Sequence, residues 1–491
     1  MNTQPVAVSA ALCSAFLATT VLLYGQADVS PQLQADLDRA FDTPGLSRST
    51  VAVDVRSASD GRIVYQRNAT LRVIPGSVLK ILTVAAAAER LGWTHQFETR
   101  LHARGRVRGG ILEGDLIVTG TGDPSIGAQD LQGAALFDEW VAALRAAGIN
   151  RVHGRLIGDD NAFEDEPLGG GWAWDYLSAG YAAPSGALSY NENVAVIRAR
   201  AGATPGSPAV LEIGPPGHGL TIDARVTTGP AGSPVTLSIT RAPSQDRVAV
   251  VGQLPAGGAP VVRTVSVENP TRYFVDALRL QLAARGIVVT GGSVDIDDVA
   301  DGPDMGKDQL IARRVSEPLS SLAGYALKVS QNYYGEMFLK ALGRGQGPET
   351  GSASRGREAA RSIFASWGLA LDPLVMRDGS GLSRYNYVSA ELLSGVLQHL
   401  WNDETMRGPF AAALPVGGRD GTLGARMKNA VLDRQVQAKT GTLDNVRSLA
   451  GYLHTGGGDT LAFTMIANHF TAPSTEVDSA MERALERLAG F

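Results

Sequence analysis

Three short strings, far apart in the chain, carry side chains suited to acyl transfer: Ser77-Val78-Leu79-Lys80, Ser330-Gln331-Asn332 and Lys439-Thr440-Gly441. A serine hydroxyl is a weak nucleophile at neutral pH and needs a base within hydrogen-bond reach. Lys80 meets that need if the segment is helical, because residues i and i+3 share a helix face and direct the amine back toward the Ser77 hydroxyl. An ordinary lysine is protonated at neutral pH, so a working Lys80 must have its pKa lowered by burial or by another cation. Lys439 is the expected cation. Ser330 has the chemistry to relay a proton between Lys80 and a leaving amine, and Asn332 to hold Lys80 or accept a substrate amide hydrogen bond. Thr440 beside Lys439 suits recognition of a carboxylate, and Gly441 lets a substrate backbone approach closely. The N–H of Thr442, with that of Ser77, forms the expected oxyanion hole.

Each string has a plainer reading. A bare S-x-x-K arises about once by chance in a chain this long, and S-x-N about as often. Alone, Ser330 to Asn332 is a capping turn, and Lys439 to Gly441 is an exposed edge strand. Order and setting favour the catalytic reading. The first string follows Pro75-Gly76 and opens an apolar helix with Val78, Ile81, Leu82, Ala85 and Leu91 on its buried face, ended by Gly92. The second follows a predicted helix over 319–328 and precedes one over 334–342, and the third sits on a predicted strand. The seven histidines are scattered and neither His-Glu-x-x-His nor a cysteine cluster occurs, so neither a catalytic metal nor another cofactor is expected.

The elements around these strings read as a mixed α/β (α+β) fold. Val51, Val53 and Val55 alternate with polar neighbours, Ser59-Asp60-Gly61 makes a turn, and Ile63-Val64-Tyr65 resumes the pattern, which predicts a hairpin. Near the other end, 436–443, 447–454 and 460–467 read as strands, and a helix over 476–488 carries Val477, Met481, Ala484, Leu485 and Leu488 on one face. Residues 28–95 and 300–491 are therefore expected to fold together around a five-stranded antiparallel sheet flanked by helices. Residues 96–299 read as a β-rich insertion with turn clusters rich in Gly and Pro. Inside it, 136–160 and 274–298 both run helix, Gly-Ile, strand, Gly, strand, Asp-Asp. This echo reads equally as a duplication giving two nested units or as two unrelated segments.

At 491 residues the chain exceeds one ordinary core. Charged residues make up 19% and the formal net charge is −5, so nothing recommends a nucleic-acid partner. Residues 6–24 are apolar and Gly25-Gln26-Ala27 supplies the small residues of a cleavage site, so 1–27 is expected to be a signal peptide. No Lys or Arg precedes the apolar run and its length also suits a retained membrane anchor, the one membrane contact foreseen. Cys13, the single cysteine, follows Leu12, where lipid attachment wants a small residue.

The three strings resemble the signature of penicillin-binding proteins and class A β-lactamases. The chain as a whole is similar to the class C low-molecular-mass penicillin-binding proteins, the D-alanyl-D-alanine carboxypeptidase and endopeptidase family. The resemblance includes Gly114-Asp115-Leu116, Gly-Thr-Gly-Asp-Pro at 120–124 and Gly158-Asp159-Asp160 with Phe163. It continues through Ala-Leu-Ser-Tyr-Asn-Glu-Asn at 187–193 and Asp-Gly-Ser-Gly-Leu-Ser at 378–383. The large insertion is itself a family feature that class A β-lactamases lack. The resemblance implies a β-lactamase-like transpeptidase domain in the periplasm, acting on peptidoglycan stem peptides ending in D-Ala-D-Ala or on D-Ala-diaminopimelate cross-links. It also implies that Ser77 forms the acyl-enzyme, that β-lactam antibiotics acylate it, and that Asp159, Phe163 and Arg384 grip the substrate side chain. Asp160 is an alternative to Asp159, and a surface salt bridge is the rival role for Arg384. Tyr190 to Asn193 receives no role. A β-lactamase would want a water-orienting glutamate, and none stands in a recognisable loop. A non-catalytic peptidoglycan-binding protein is opposed by the intact Ser77, Lys80, Ser330, Asn332, Lys439 and Thr440.

Overall fold

The computed structural model describes residues 30–127, 134–300 and 308–490, so the apolar leader and Cys13 lie outside the described residues. Among the described residues no helix is long and apolar enough to cross a membrane.

A five-stranded sheet runs in the order Val436–Leu443, Val446–His454, Thr460–Asn468, Thr50–Ser57, Ile63–Arg67, antiparallel throughout. The two ends of the chain meet in it, with Thr50 opposite Asn468 and Ser57 opposite Leu461. Alternation over residues 51–55 reads as one buried face, but the strand is buried on both. The three valines pack with the terminal helices Pro31–Phe41 and Ser474–Ala489. Ala52, with Ala450 and Ala462 of neighbouring strands, faces the other helical layer, where short side chains let helices approach closely. Asp54 shares that buried strand at 0% exposure and is matched by Arg56 at 2.8 Å and Gln66 at 2.7 Å, as a buried carboxylate requires.

The helix Leu79–Leu91 is the axis of the second layer. One buried face was expected, yet every residue except Glu89 and Arg90 is buried. Its four consecutive alanines make it slender, and helices Leu319–Lys328, Asn332–Arg344 and Ala353–Ser366 pack around it. Gly92, at φ 85°, ends it, a conformation that costs glycine little.

The residues between these halves build three further sheets. A seven-stranded sheet gathers Glu98–Arg108, Ile111–Gly120 and the short strands of the two echo segments. Gln309–Val315, expected beyond the insertion, pairs antiparallel with Glu98–Arg108. On that pairing we propose that the inserted unit closes after Val315 and not near 300. The echo segments lie side by side, with Val288 beside Arg151 and Ser293 beside Leu156 in parallel pairing. Two three-stranded sheets from 194–266 enclose a separate cluster that includes Ile197, Val248, Val250 and Val265.

Candidate active site

Gly76, at φ 58°, begins a short 3₁₀ turn, Gly76–Val78, that carries Ser77 to the start of the helix Leu79–Leu91. One turn on, Lys80 is 1% exposed. Its Nζ donates to Ser77 Oγ at 3.0 Å, to Asn332 Oδ1 at 2.7 Å and to the Ser380 carbonyl at 2.8 Å. Burial drives the Lys80 pKa down from 10.5 to about 7, against the opposing pull of Asp378 and Glu336. A lysine so placed is partly neutral at neutral pH and can accept a proton.

The Ser380 carbonyl is held from behind. Glu336, buried in the helix Asn332–Arg344, accepts from the N–H groups of Gly379 at 3.0 Å and Ser380 at 2.9 Å. Burial and the neighbouring Asp378 hold the Glu336 carboxyl well above the usual carboxylate range. Asp378 in turn accepts from Gly381 N at 2.9 Å, Ser383 N at 2.6 Å and Asn386 Nδ2 at 2.7 Å. The Asp-Gly-Ser-Gly-Leu-Ser string is thus a hydrogen-bonded cage behind Lys80, a role its sequence did not disclose.

Ser330 lies between two helices with φ 63°, and Gln331 caps the second, Asn332–Arg344. Ser330 Oγ accepts from Lys439 Nζ at 2.7 Å, and the same amine donates to the Thr440 carbonyl at 2.7 Å. Lys439 is 0% exposed, and burial together with the charge of Lys80 holds its pKa well below the ordinary lysine value. Burial is the main cause of the low Lys80 pKa, and the Lys80–Lys439 repulsion adds to the pair's preference for losing a proton. Lys439 directs its hydrogen bonds to Ser330 and the Thr440 carbonyl. By strand alternation Lys439 shares with Gly441 the face laid against the Ser77 turn, and Thr440 and Thr442 share the other.

Ser77, Ser330, Asn332, Thr440 and Thr442 line a cleft of about 380 Å³. The three strings therefore converge. Thr440 donates its hydroxyl hydrogen bond to Thr422 at 2.8 Å, and Arg447, paired with Asp478 at 3.2 Å, reaches the Thr442 hydroxyl. A Cβ on Gly441 would stand 2.1 Å from Ser448 Oγ, 2.9 Å from the Pro75 carbonyl and 3.0 Å from Ser77 N, so only glycine lets this strand lie against the Ser77 turn. The remaining walls went unforeseen: Leu382, Thr422, Leu443 and Asp444 beside the strings, and Tyr176 and Tyr181 from the inserted unit. The two tyrosines meet edge to face at 5.7 Å, and no periodicity or motif marks them in the sequence.

The three residues carried over from the resemblance fare differently. Phe163 is 1% exposed and packs in the same cluster as the Ser77 helix. Its ring fills space that Cβ atoms at Gly122 and Gly351 would occupy. Phe163 thus sits in the core and does not line the cleft. Asp159 accepts from Asn161 N at 3.1 Å, and Asp160 from the Thr271 hydroxyl at 2.6 Å; neither lines the cleft. Arg384 donates to the carbonyl of Asp444, a cleft residue, at 2.6 Å, which leaves it at the rim.

Residues 33–488 match the model of the D-Ala-D-Ala carboxypeptidase 3 (S13) family. The chain belongs to that family. It is 31% identical to a D-alanyl-D-alanine carboxypeptidase of Actinomadura sp., over 94% of this chain and 85% of the relative. Among solved structures, penicillin binding protein 4 of Haemophilus influenzae is similar at 25% identity and a TM-score of 0.80, covering 93% of this chain and 99% of that one. The same H. influenzae protein complexed with a β-lactam superposes with a TM-score of 0.73 at 24% identity, covering 92% and 97%. This chain thus shares its overall fold with the H. influenzae protein.

Proposed function

We propose that the chain is a serine DD-peptidase of peptidoglycan, cleaving D-Ala-D-Ala termini, D-Ala-diaminopimelate cross-links or both through a Ser77 acyl-enzyme that penicillins also form. The observation that carries this reading is the Lys80 amine, buried, shifted toward neutrality and hydrogen-bonded at once to Ser77 and Asn332, in a chain of a carboxypeptidase family. Neutral Lys80 takes the Ser77 proton as Oγ attacks the penultimate D-alanine carbonyl. The oxyanion is received by the N–H groups of Ser77 and Thr442. The leaving amine regains a proton by way of Ser330, which Lys439 orients, and water then releases the acyl group and restores Ser77. Thr440 and Thr442, which line the cleft, suit the substrate carboxylate, with Arg447 behind them. Arg384 and Asp444 suit the rim of the side-chain subsite.

The substrate's place outside the cytoplasm supports export, with the leader removed after Ala27 or kept as an anchor. Incubation with a stem pentapeptide is expected to release one D-alanine per peptide, and with a cross-linked dimer to yield monomers. Absence of both products from a chain that is folded would refute the reading.

A further inference from the structure

One string singled out in the sequence has no part in the chemistry above. Asn191, Glu192 and Asn193 stand consecutively at φ 50°, 53° and 56°, a left-handed run that asparagine tolerates and glutamate rarely adopts. The flanking residues are anchored inside the inserted unit. Tyr190 is 1% exposed, with its ring 5.4 Å from Phe137 and 5.3 Å from Tyr273. Asn191 donates to the Val194 carbonyl at 2.8 Å, and Asn193 to the Pro184 carbonyl at 2.8 Å and Ser189 Oγ at 3.1 Å. This leaves the Glu192 side chain as the one that leaves the unit.

Its carboxylate lands on the middle catalytic string. Oε1 accepts from the Tyr325 hydroxyl at 2.7 Å and Oε2 from Gln331 Nε2 at 2.5 Å. Tyr325 belongs to the helix Leu319–Lys328 that leads into Ser330, and Gln331 lies between Ser330 and Asn332. With its amide nitrogen turned to Glu192, Gln331 presents Oε1 to Tyr333 N at 3.4 Å and so caps the helix that begins at Asn332. Asn332 is pinned from the same side, donating to the Tyr181 carbonyl at 2.9 Å. Ser330 itself sits at φ 63°, a backbone state that needs its surroundings to hold it.

We propose that Glu192 is a positioning residue for acylation: the inserted unit uses it to lock Gln331, and thereby sets Ser330 against Lys439 and Asn332 against Lys80. The inference rests on the reading of the cleft as a DD-peptidase site. A carboxylate suits the task because one group can receive both the phenol and the amide, bridging the helix before the string and the residue inside it. The strained backbone then has a purpose, since it aims a side chain out of one core into the joint between two helices.

The test compares Glu192→Ala, Gln331→Ala and the double variant with the wild-type chain, using a fluorescent penicillin at graded concentrations. Melting temperature, saturating acylation rate and half-saturating concentration are read for each. Each single variant is expected to lose about tenfold in saturating rate, the loss that follows from one buried partner left unpaired, with half-saturation within about twofold of wild type. The double variant should be no slower than the slower single, because both substitutions break one link. Saturating rates of both singles within about twofold of wild type would overturn the proposal, as would a double variant slowed by the product of the two. Should Glu192→Ala not fold, Gln331→Ala decides from the other side of the contact. A wild-type chain that takes up no penicillin would sink the peptidase reading itself, whereas normal uptake by wild type and variants alike would sink this inference alone.

Discussion

Lys80→Ala is expected to lower the rate of penicillin acylation by about 10²–10⁴-fold, the worth of a positioned general base. The reason lies in three contacts and one shift: the amine reaches the nucleophile at 3.0 Å and is held by Asn332 and Ser380, and burial brings its pKa to about 7. Stability should change much less. Removing the side chain forfeits those hydrogen bonds but also removes the cost of burying an amine, and the two effects oppose each other. The pH dependence follows from the direction of the shift. Acylation needs the neutral amine, so the wild-type rate should climb as pH rises through about 7 and then level off. Stopped-flow acylation between pH 5 and 9 checks both points. A profile still climbing steadily at pH 9, as an ordinary lysine of pKa near 10.5 would give, or a Lys80→Ala protein acylating at the wild-type rate, would remove Lys80 from the mechanism.

Gly441→Ala should cost about 10²–10³-fold in the same acylation rate, the effect of losing one oxyanion donor. The added Cβ would meet Ser448 Oγ at 2.1 Å, and beyond it the Pro75 carbonyl and Ser77 N. The serine hydroxyl can rotate, but it already donates to Pro75 O at 2.6 Å. The strand must therefore move off the Ser77 turn, which carries Thr442 N away from Ser77 N. Denaturation and acylation measured on one preparation separate the effects: a folded protein with slowed acylation is expected. Wild-type acylation by that variant would mean that the gap between strand and turn plays no part in the chemistry.

What could be read in advance was whatever a local period or spacing encodes. The hairpin of residues 51–65, the three C-terminal strands and the helix after Gly76 all follow from alternation, turn residues and a capped apolar run. The convergence of Ser77, Ser330 and Thr440 on one cleft followed from recognising three strings together. What remained hidden depends on partners distant in sequence. Phe163 turns inward because Gly122 and Gly351 leave room for its ring, and neither glycine announces that neighbour. Tyr176 and Tyr181 reach the cleft only because the inserted unit lies against the Ser330 loop. The separation of Lys439 from Thr440 and Thr442 was legible from period-two alternation, whereas its bond to Ser330 joins residues far apart in the chain. Glu192 was visible within an unusual Tyr-Asn-Glu-Asn string, yet its partner Gln331 lies far along the chain, and no local rule connects them.

The claim on which the rest depends is that Ser77 is the nucleophile, and intact-mass and peptide mass spectrometry after brief exposure to benzylpenicillin tests it most directly. One penicilloyl group per chain, located on the peptide that contains Ser77 and absent from Ser77→Ala, is the expected result. An adduct on any other residue, or an equal adduct on the Ser77→Ala protein, would contradict it.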